Sequence, residues 1–270
     1  MTNTISAAAN PALANNLVKK ATQEETLAFI QPEIVPPSDN VVELPGGYIT
    51  ATGEVVRLAE VRELTGKDEE AIGRATSMSK ALLTVLQRCV VKIGEEKATE
   101  KMLDGLLSGD RDALLLGILK LTFGSSPKVM CFCGGCNEMK EVLVDINTDI
   151  KVKILTNPIE DRVFTVQGKS GEFTVQLPTG ITQKEMLNNA DKNPAELTTL
   201  LLKNTVIKIN ETPVYSPLQI QNLGLVDRRA IVDAINERIP GPQFEAMKTT
   251  CPDCESEVTV PVTLDSLFRL

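Results

Sequence analysis

Cys133-Gly134-Gly135-Cys136, with the alternating run Glu141-Val142-Leu143-Val144-Asp145-Ile146 behind it, has a counterpart near the other end of the chain. That counterpart is Cys251-Pro252-Asp253-Cys254, followed by Glu257-Val258-Thr259-Val260-Pro261-Val262. Each places two thiols ahead of a segment with the two-residue period of a strand. Together they offer four thiolates, the number that closes a tetrahedral structural zinc site.

The correspondence extends upstream of the cysteines. Gln87-Arg-Cys-Val-Val-Lys-Ile-Gly-Glu95 matches Lys203-Asn-Thr-Val-Ile-Lys-Ile-Asn-Glu211, and Ser108-Gly-Asp-Arg-Asp-Ala-Leu-Leu-Leu-Gly-Ile118 matches Leu225-Val-Asp-Arg-Arg-Ala-Ile-Val-Asp-Ala-Ile235. Further back, Val61-Arg-Glu-Leu-Thr-Gly66 echoes Val175-Gln-Leu-Pro-Thr-Gly180. The offsets are 114 (175 − 61), 116 (203 − 87), 117 (227 − 110) and 118 (251 − 133), the slow drift of two copies separated by small loop insertions. The expected fold is therefore α+β: two tandem, diverged, helix-rich repeats, each ending in a CxxC knuckle and short β-strands, joined by one four-cysteine zinc site. Residues 44–150 form the first repeat. Residues 151–270 form the second with its C-terminal tail, and residues 1–43 an extended arm.

Within that arm, Gln31-Pro-Glu-Ile-Val-Pro-Pro-Ser38 opposes both helix and central strand, while residues 16–30 have the apolar content of a short helix. Such an arm is expected to be flexible or to order against a neighbouring subunit. Leu44-Pro-Gly-Gly-Tyr48 reads as a turn before a short strand, Val55–Leu58. Thr65 is the predicted N-cap of one long helix whose apolar positions run from Ala71 through Leu86 toward Val90, with Asp68, Glu69 and Glu70 in its first turn. A second helix over 110–121 is apolar almost throughout and belongs at the centre of the fold. In the second repeat, Thr182, Asn193 and Ser216 read as N-caps, and 229–239 as the counterpart helix. The paired Asp110-Arg111 and Asp227-Arg228 read as helix-start carboxylates with arginines bridging to nearby acids, or as an inter-subunit contact.

Composition narrows the chemistry. A net charge of −8 opposes a phosphate-tracking surface, so nucleic acid is not the expected partner. With no Trp and two Tyr, there are few rings for stacking on bases. The absence of histidine removes imidazole bases and imidazole metal ligands. No Gly-rich phosphate loop or paired-carboxylate pattern stands out, and no enzymatic activity is expected. Neither a signal-peptide pattern nor an apolar run of about 20 residues is evident, so a soluble protein made in a reducing cytoplasm is expected. In that compartment six cysteines point to metal rather than disulfides.

The expected ligands are Cys133, Cys136, Cys251 and Cys254, with Cys131 able to replace Cys133 in a wider loop and Cys89 read as a small buried apolar residue. Four sulfurs leave no open coordination position, so the zinc would be structural. Iron is a second possibility. A thioredoxin-like redox pair normally opens a helix, whereas both pairs here precede strands.

Leu44-Pro-Gly-Gly-Tyr48, Glu63-Leu-Thr-Gly-Lys-Asp-Glu-Glu70, Gly109-Asp-Arg-Asp-Ala-Leu-Leu-Leu116, Phe123-Gly124 and the pair Cys133 and Cys136, taken in order, resemble the T4-type phage baseplate family. The resemblance covers residues 44–146, so the second repeat and the long arm look like additions. It implies a non-catalytic baseplate hub subunit or hub-assembly protein of a contractile tail or related injection machine, located in the virion tail after synthesis in the host. Other baseplate or tail proteins would be its partners, one of them contacted by the arm. The rival readings are a zinc-ribbon adaptor for a host protein or nucleic acid, and a CxxC thiol oxidoreductase.

Overall fold

The structure, a computed structural model, describes residues 40–268; the expected helix over 16–30 and nearly all of the expected arm lie outside them. Strand β1 (Val41–Ile49) pairs antiparallel with β2 (Val55–Val61), β2 with β3 (Val90–Ile93) and β3 with β4 (Glu96–Lys97). Leu44-Pro-Gly-Gly-Tyr48 is not a turn ahead of this sheet but a bulge inside β1, where the register slips between Glu43 and Tyr48. Pro45 has no N–H for the ladder and Gly47 takes φ +73°, so the strand bends here while Leu44 stays in the core.

Two helices, not one, join β2 to β3: α1 (Gly66–Ile72) and α2 (Met78–Cys89). The predicted apolar spacing is real, but Gly73 caps α1 and the Ser77 hydroxyl accepts the Lys80 N–H to restart the chain as α2. Local capping thus overrides a continuous pattern. After the short α3 (Glu100–Gly105), helix α4 (Ser108–Phe123) runs through the middle, buried on every side from Gly109 to Leu119 apart from Asp112 and Gly117. Hairpin β5 (Lys128–Cys133)–β6 (Glu138–Leu143) follows.

Beyond α5 (Ile146–Asp149) and β7 (Lys151–Lys153) comes a second four-stranded sheet. Its strands are β8 (Val163–Gln167), β9 (Glu172–Gln176), β10 (Val206–Ile209) and β11 (Thr212–Pro213), paired in that order. Helices α6 (Gly180–Asn188) and α7 (Pro194–Thr205) lie between β9 and β10 in sequence, and α8 (Pro217–Gln221) and α9 (Leu225–Arg238) follow. Next are β12 (Gly241–Gln243), paired with β7, the hairpin β13 (Met247–Thr250)–β14 (Glu257–Val260), and α10 (Leu264–Phe268). Asn193 and Ser216 cap helices as expected. Thr182 does not: the N-cap is Thr179, and the Thr182 hydroxyl accepts the Thr179 N–H from inside the first turn.

The described residues belong to one compact unit, Ser38–Leu270, with unequal cores. The larger gathers the first sheet, α2, α4 and both cysteine hairpins, including Cys251, Val258, Val260, Val262, Leu267 and Phe268 from the C-terminal end. A smaller core holds the second sheet against α7 and α9 through Phe173, Val175, Leu202, Ile231 and Ile235. The halves are stitched along Leu106–Ser108: Ser108 N–H donates to Pro178 O and Gly180 N–H to Leu106 O.

Asp110 and Asp227 do lie in the first turns of α4 and α9, as helix-start carboxylates, and each also reaches across to a sheet. Asp110 accepts the Gly46 N–H of the β1 bulge at 2.6 Å, and Asp227 accepts from the Lys169 N–H and Ser170 hydroxyl in the β8–β9 turn. Each therefore fastens its helix to a bend in a sheet. Arg228 donates to Ile220 O, Ala195 O and Thr199 Oγ1 rather than to a carboxylate.

Asp68, fully buried at the start of α1, accepts from Arg62, Arg88 and Thr65. The Arg62 hydrogen bond above all, with the others, holds its carboxyl far below the ordinary range. A depressed folded-state value stabilises the fold in full above the unfolded-chain value of about 4, and that contribution is lost progressively as pH falls from there toward the folded-state value. Asp68→Asn is expected to lose about 1–3 kcal/mol at neutral pH, nearer the lower figure because both arginines remain partly solvated. Urea unfolding of wild type and variant should show that difference beginning to shrink below about pH 4, where Asp68 of the unfolded chain takes up a proton that the folded carboxylate does not.

Candidate metal centre

The cysteine pairs occupy the turns of two hairpins, so each follows a strand as well as preceding one. In β5 alternate residues face inward, which buries Val129, Cys131 and Cys133 and turns Met130 and Phe132 outward. Cys131 is therefore one full strand repeat back from Cys133, in the apolar core. Beyond each pair the chain enters the left-handed region at one residue, Asn137 (φ +58°) after Cys136 and Glu255 (φ +59°) after Cys254. This bend lets the chain turn back into β6 and β14, with Cys133 and Cys251 buried, Cys136 half-buried and Cys254 exposed. Cys251 N–H donates to Ser256 O across the second turn. The Cys136 N–H points at Cys133 Sγ, 3.5 Å away, as knuckle amides point at thiolates.

Strand β14 packs beside β5, bringing the two turns face to face. The sulfurs of Cys133, Cys136, Cys251 and Cys254 all lie within 4.8 Å of one another. Cys133 and Cys254 are 3.5 Å apart and Cys136 and Cys251 3.8 Å. These separations exceed the roughly 2.05 Å of a disulfide. They approach the edge of about 3.8 Å that Zn–S bonds of about 2.3 Å give a sulfur tetrahedron. The donor set and its spacing fit a thiophilic, four-coordinate cation. Cys89 and Cys131 lie outside the cluster, and burial pushes the Cys89 thiol up to about 11, that of an inert buried group.

Several supporting residues had no signal in the sequence. A Cβ on Gly135 would stand 2.4 Å from Ser256 Oγ and 2.9 Å from Cys254 Sγ, so this glycine permits the close approach of the opposite hairpin; Gly134 faces open space. Lys140 of β6 bridges Glu138 and Asp253, each at 2.6 Å, and so ties the first hairpin to the second CxxC turn. Asp253 chiefly, then Glu138, hold its ammonium above the ordinary value. Hydrogen bonding from the Ser256 hydroxyl draws the Cys254 thiol down to about 6, while the Cys254 sulfur first, then burial, push Cys136 up to about 12.

The family model described as "T4 bacteriophage base plate protein" matches residues 49–269. The chain belongs to the T4 bacteriophage base plate protein family. Because the match runs from the end of β1 through the second sheet and both CxxC turns, residues 151–269 are part of this baseplate family's own length and not an addition to it. No curated protein and no solved structure matches the chain. Among the described residues no helix is long and apolar enough to cross a membrane.

Proposed function

We propose that this member of the baseplate family is a non-catalytic structural or assembly component of a contractile-tail baseplate, at the hub or in building it. In this reading residues 44–150 and 151–270 are diverged copies of one unit, clasped by a single structural zinc on Cys133, Cys136, Cys251 and Cys254. The observation that carries the role is the family match across nearly the whole described chain.

Duplication is supported by the order of elements, two strands, two helices, two strands, two helices and a cysteine hairpin, which runs through both halves. Equivalent positions agree in detail. Thr65 and Thr179 are N-caps, Cys89 and Thr205 are fully buried, and Val90 and Val206 end their helices at φ, ψ of −80°, 116° and −81°, 116°. Zinc is supported by four sulfurs at tetrahedral spacing with no histidine or carboxylate among them, which leaves no position for substrate. A role among other proteins is supported by the outer face of the β5–β6 hairpin. There Phe132 lies opposite Met139 with Met130 and Leu143 beside them, all exposed.

Deletion of the gene from a phage that carries it tests the role. Expected are particles lacking complete baseplates, restored by the gene in trans. Tails of normal shape and protein content without it would overturn the proposal.

A further inference from the structure

Each half carries two docking faces, and only one pair of them is used within the chain. Leu106–Ser108 of the first half forms an antiparallel bridge with Pro178–Gly180 of the second: Leu107 lies opposite Thr179, Ser108 N–H donates to Pro178 O and Gly180 N–H to Leu106 O. The second half carries Leu223–Leu225 at the place of Leu106–Ser108 (223 − 106 = 117), and the first carries Leu64–Gly66 at the place of Pro178–Gly180 (178 − 64 = 114). The backbone is set alike at matching positions. Leu107 and Gly224 have φ, ψ of −66°, 152° and −61°, 146°, and Thr179 and Thr65 have −105°, 179° and −116°, 167°. Yet among the described residues the Leu225 N–H, Leu223 O, Gly66 N–H and Leu64 O have no hydrogen-bond partner. A Cβ on Gly180 would stand 2.4 Å from Arg111 Nη1 and 2.5 Å from Leu103 O, whereas one on Gly66 meets open space. One docking glycine is used and its counterpart is free.

The two unused faces complement each other. Leu225 and Val226 are 71% and 63% exposed, while Leu64, Thr65 and Gly66 line an open groove of about 770 Å³ with Ile72 and Phe123 among its other walls. Beside the bridge within the chain, Gln183 of α6 donates to Asp112 at 3.0 Å. The matching positions are Glu69 (183 − 114) and Arg229 (112 + 117), both exposed, so that contact would become a pair of opposite charges. The depression lined by Arg228, Arg229 and Val232 likewise stands where Arg111, Asp112 and Leu115 line the place beside α6. Val226 is the one departure, because it replaces Gly109, whose lack of a Cβ permits the close approach of Pro240. Phe123 takes the place of Pro240 (240 − 117) and is 59% exposed, so the valine would meet an apolar ring at ordinary contact distance and the second docking would be wider there.

We propose that Leu223–Val226 of one chain docks in the Leu64–Gly66 groove of a second copy, so that the contact joining the two halves is repeated head to tail between chains. The inference rests on the reading of the halves as diverged copies. Such an interface is heterologous, so it builds a ring or a filament and does not stop at a symmetric dimer. Sedimentation velocity of the full chain from about 1 μM to 1 mM should show oligomers that grow with concentration. Gly66→Ala should weaken association about tenfold or more without loss of folding stability, since its methyl meets nothing within the chain and would meet the partner's backbone when docked. Glu69→Arg and Arg229→Glu should each weaken it about tenfold, and the double variant Glu69→Arg/Arg229→Glu should recover it. A chain that stays monomeric throughout would overturn the inference and leave the duplication, zinc and baseplate readings standing. Association that Gly66→Ala and both charge reversals leave untouched would overturn it in favour of another face. Weakening by each reversal without recovery in the double variant would overturn the register taken over from the other half, and that result alone would count against the duplication.

Discussion

Cys136→Ser, or extraction of metal by a chelator, is expected to collapse the cooperative unfolding of the whole compact unit, not only of one hairpin. The four sulfurs join turns that are 118 residues apart in sequence (251 − 133), and the second hairpin is part of the larger core. Structural zinc contributes apparent binding energies of about 10–16 kcal/mol in small peptides, against a net domain stability of about 5–15 kcal/mol. Part of the loss will be offset by the apolar packing of Val258, Val260, Leu267 and Phe268, which needs no metal. A fall in Tm of about 10 °C or more is expected by calorimetry, together with about one zinc per chain by elemental analysis of the untreated protein. No tightly bound metal, or an unfolding transition unchanged after chelation, would sink the clasp, whereas iron in place of zinc would overturn only the metal's identity.

Gly109→Ala should be the most damaging of the small substitutions. A Cβ there would lie 1.7 Å from Pro240 O and 2.6 Å from Pro240 C, backbone atoms that no rotamer change can move. Opposite it Gly241 holds φ +104°, so the partner segment is itself confined to a conformation that glycine favours. Overpacking of a well-packed site costs about 1–3 kcal/mol and more where backbone must shift, and the contact lies where α4 meets β12, between the halves. Gly117→Ala, 2.2 Å from the Val42 Cγ2 methyl, should cost less because a side chain can turn away. Gly66→Ala, with open space at a helix start, should be neutral or stabilise by up to about 1 kcal/mol. Denaturant midpoints of the three variants should fall in that order, with Gly109→Ala lowest. A Gly109→Ala protein as stable as wild type would show that this close approach does not exist.

The local signals are legible because they depend on neighbours in sequence. Thr65, Asn193 and Ser216 start helices through side chains that reach three residues on, and the run within Ser108–Phe123 has to be central because it leaves almost no polar face. Misreadings arise where two local rules compete. Apolar spacing alone continues one helix across Gly73–Ser77, where a C-cap and an N-cap break it, and Thr182 mimics a cap that Thr179 performs. Leu44-Pro-Gly-Gly-Tyr48 carries turn residues, but a bulge uses the same residues, and only pairing with β2 distinguishes them.

Read alone, the amino-acid order establishes a mixed α+β chain with four paired thiols and two halves punctuated alike, since spacing, capping and periodicity are properties of short segments. What those segments do to one another is settled by packing in three dimensions. Packing places the C-terminal hairpin in one core with the first sheet, sets Cys133 rather than Cys131 among the four sulfurs, and gives Arg228 three hydrogen bonds where Arg111 has the Asp104 carboxylate at 3.9 Å. The physical reason is that burial and hydrogen-bond satisfaction depend on which surfaces meet, and residues that match in sequence, such as Arg111 and Arg228, meet different surfaces.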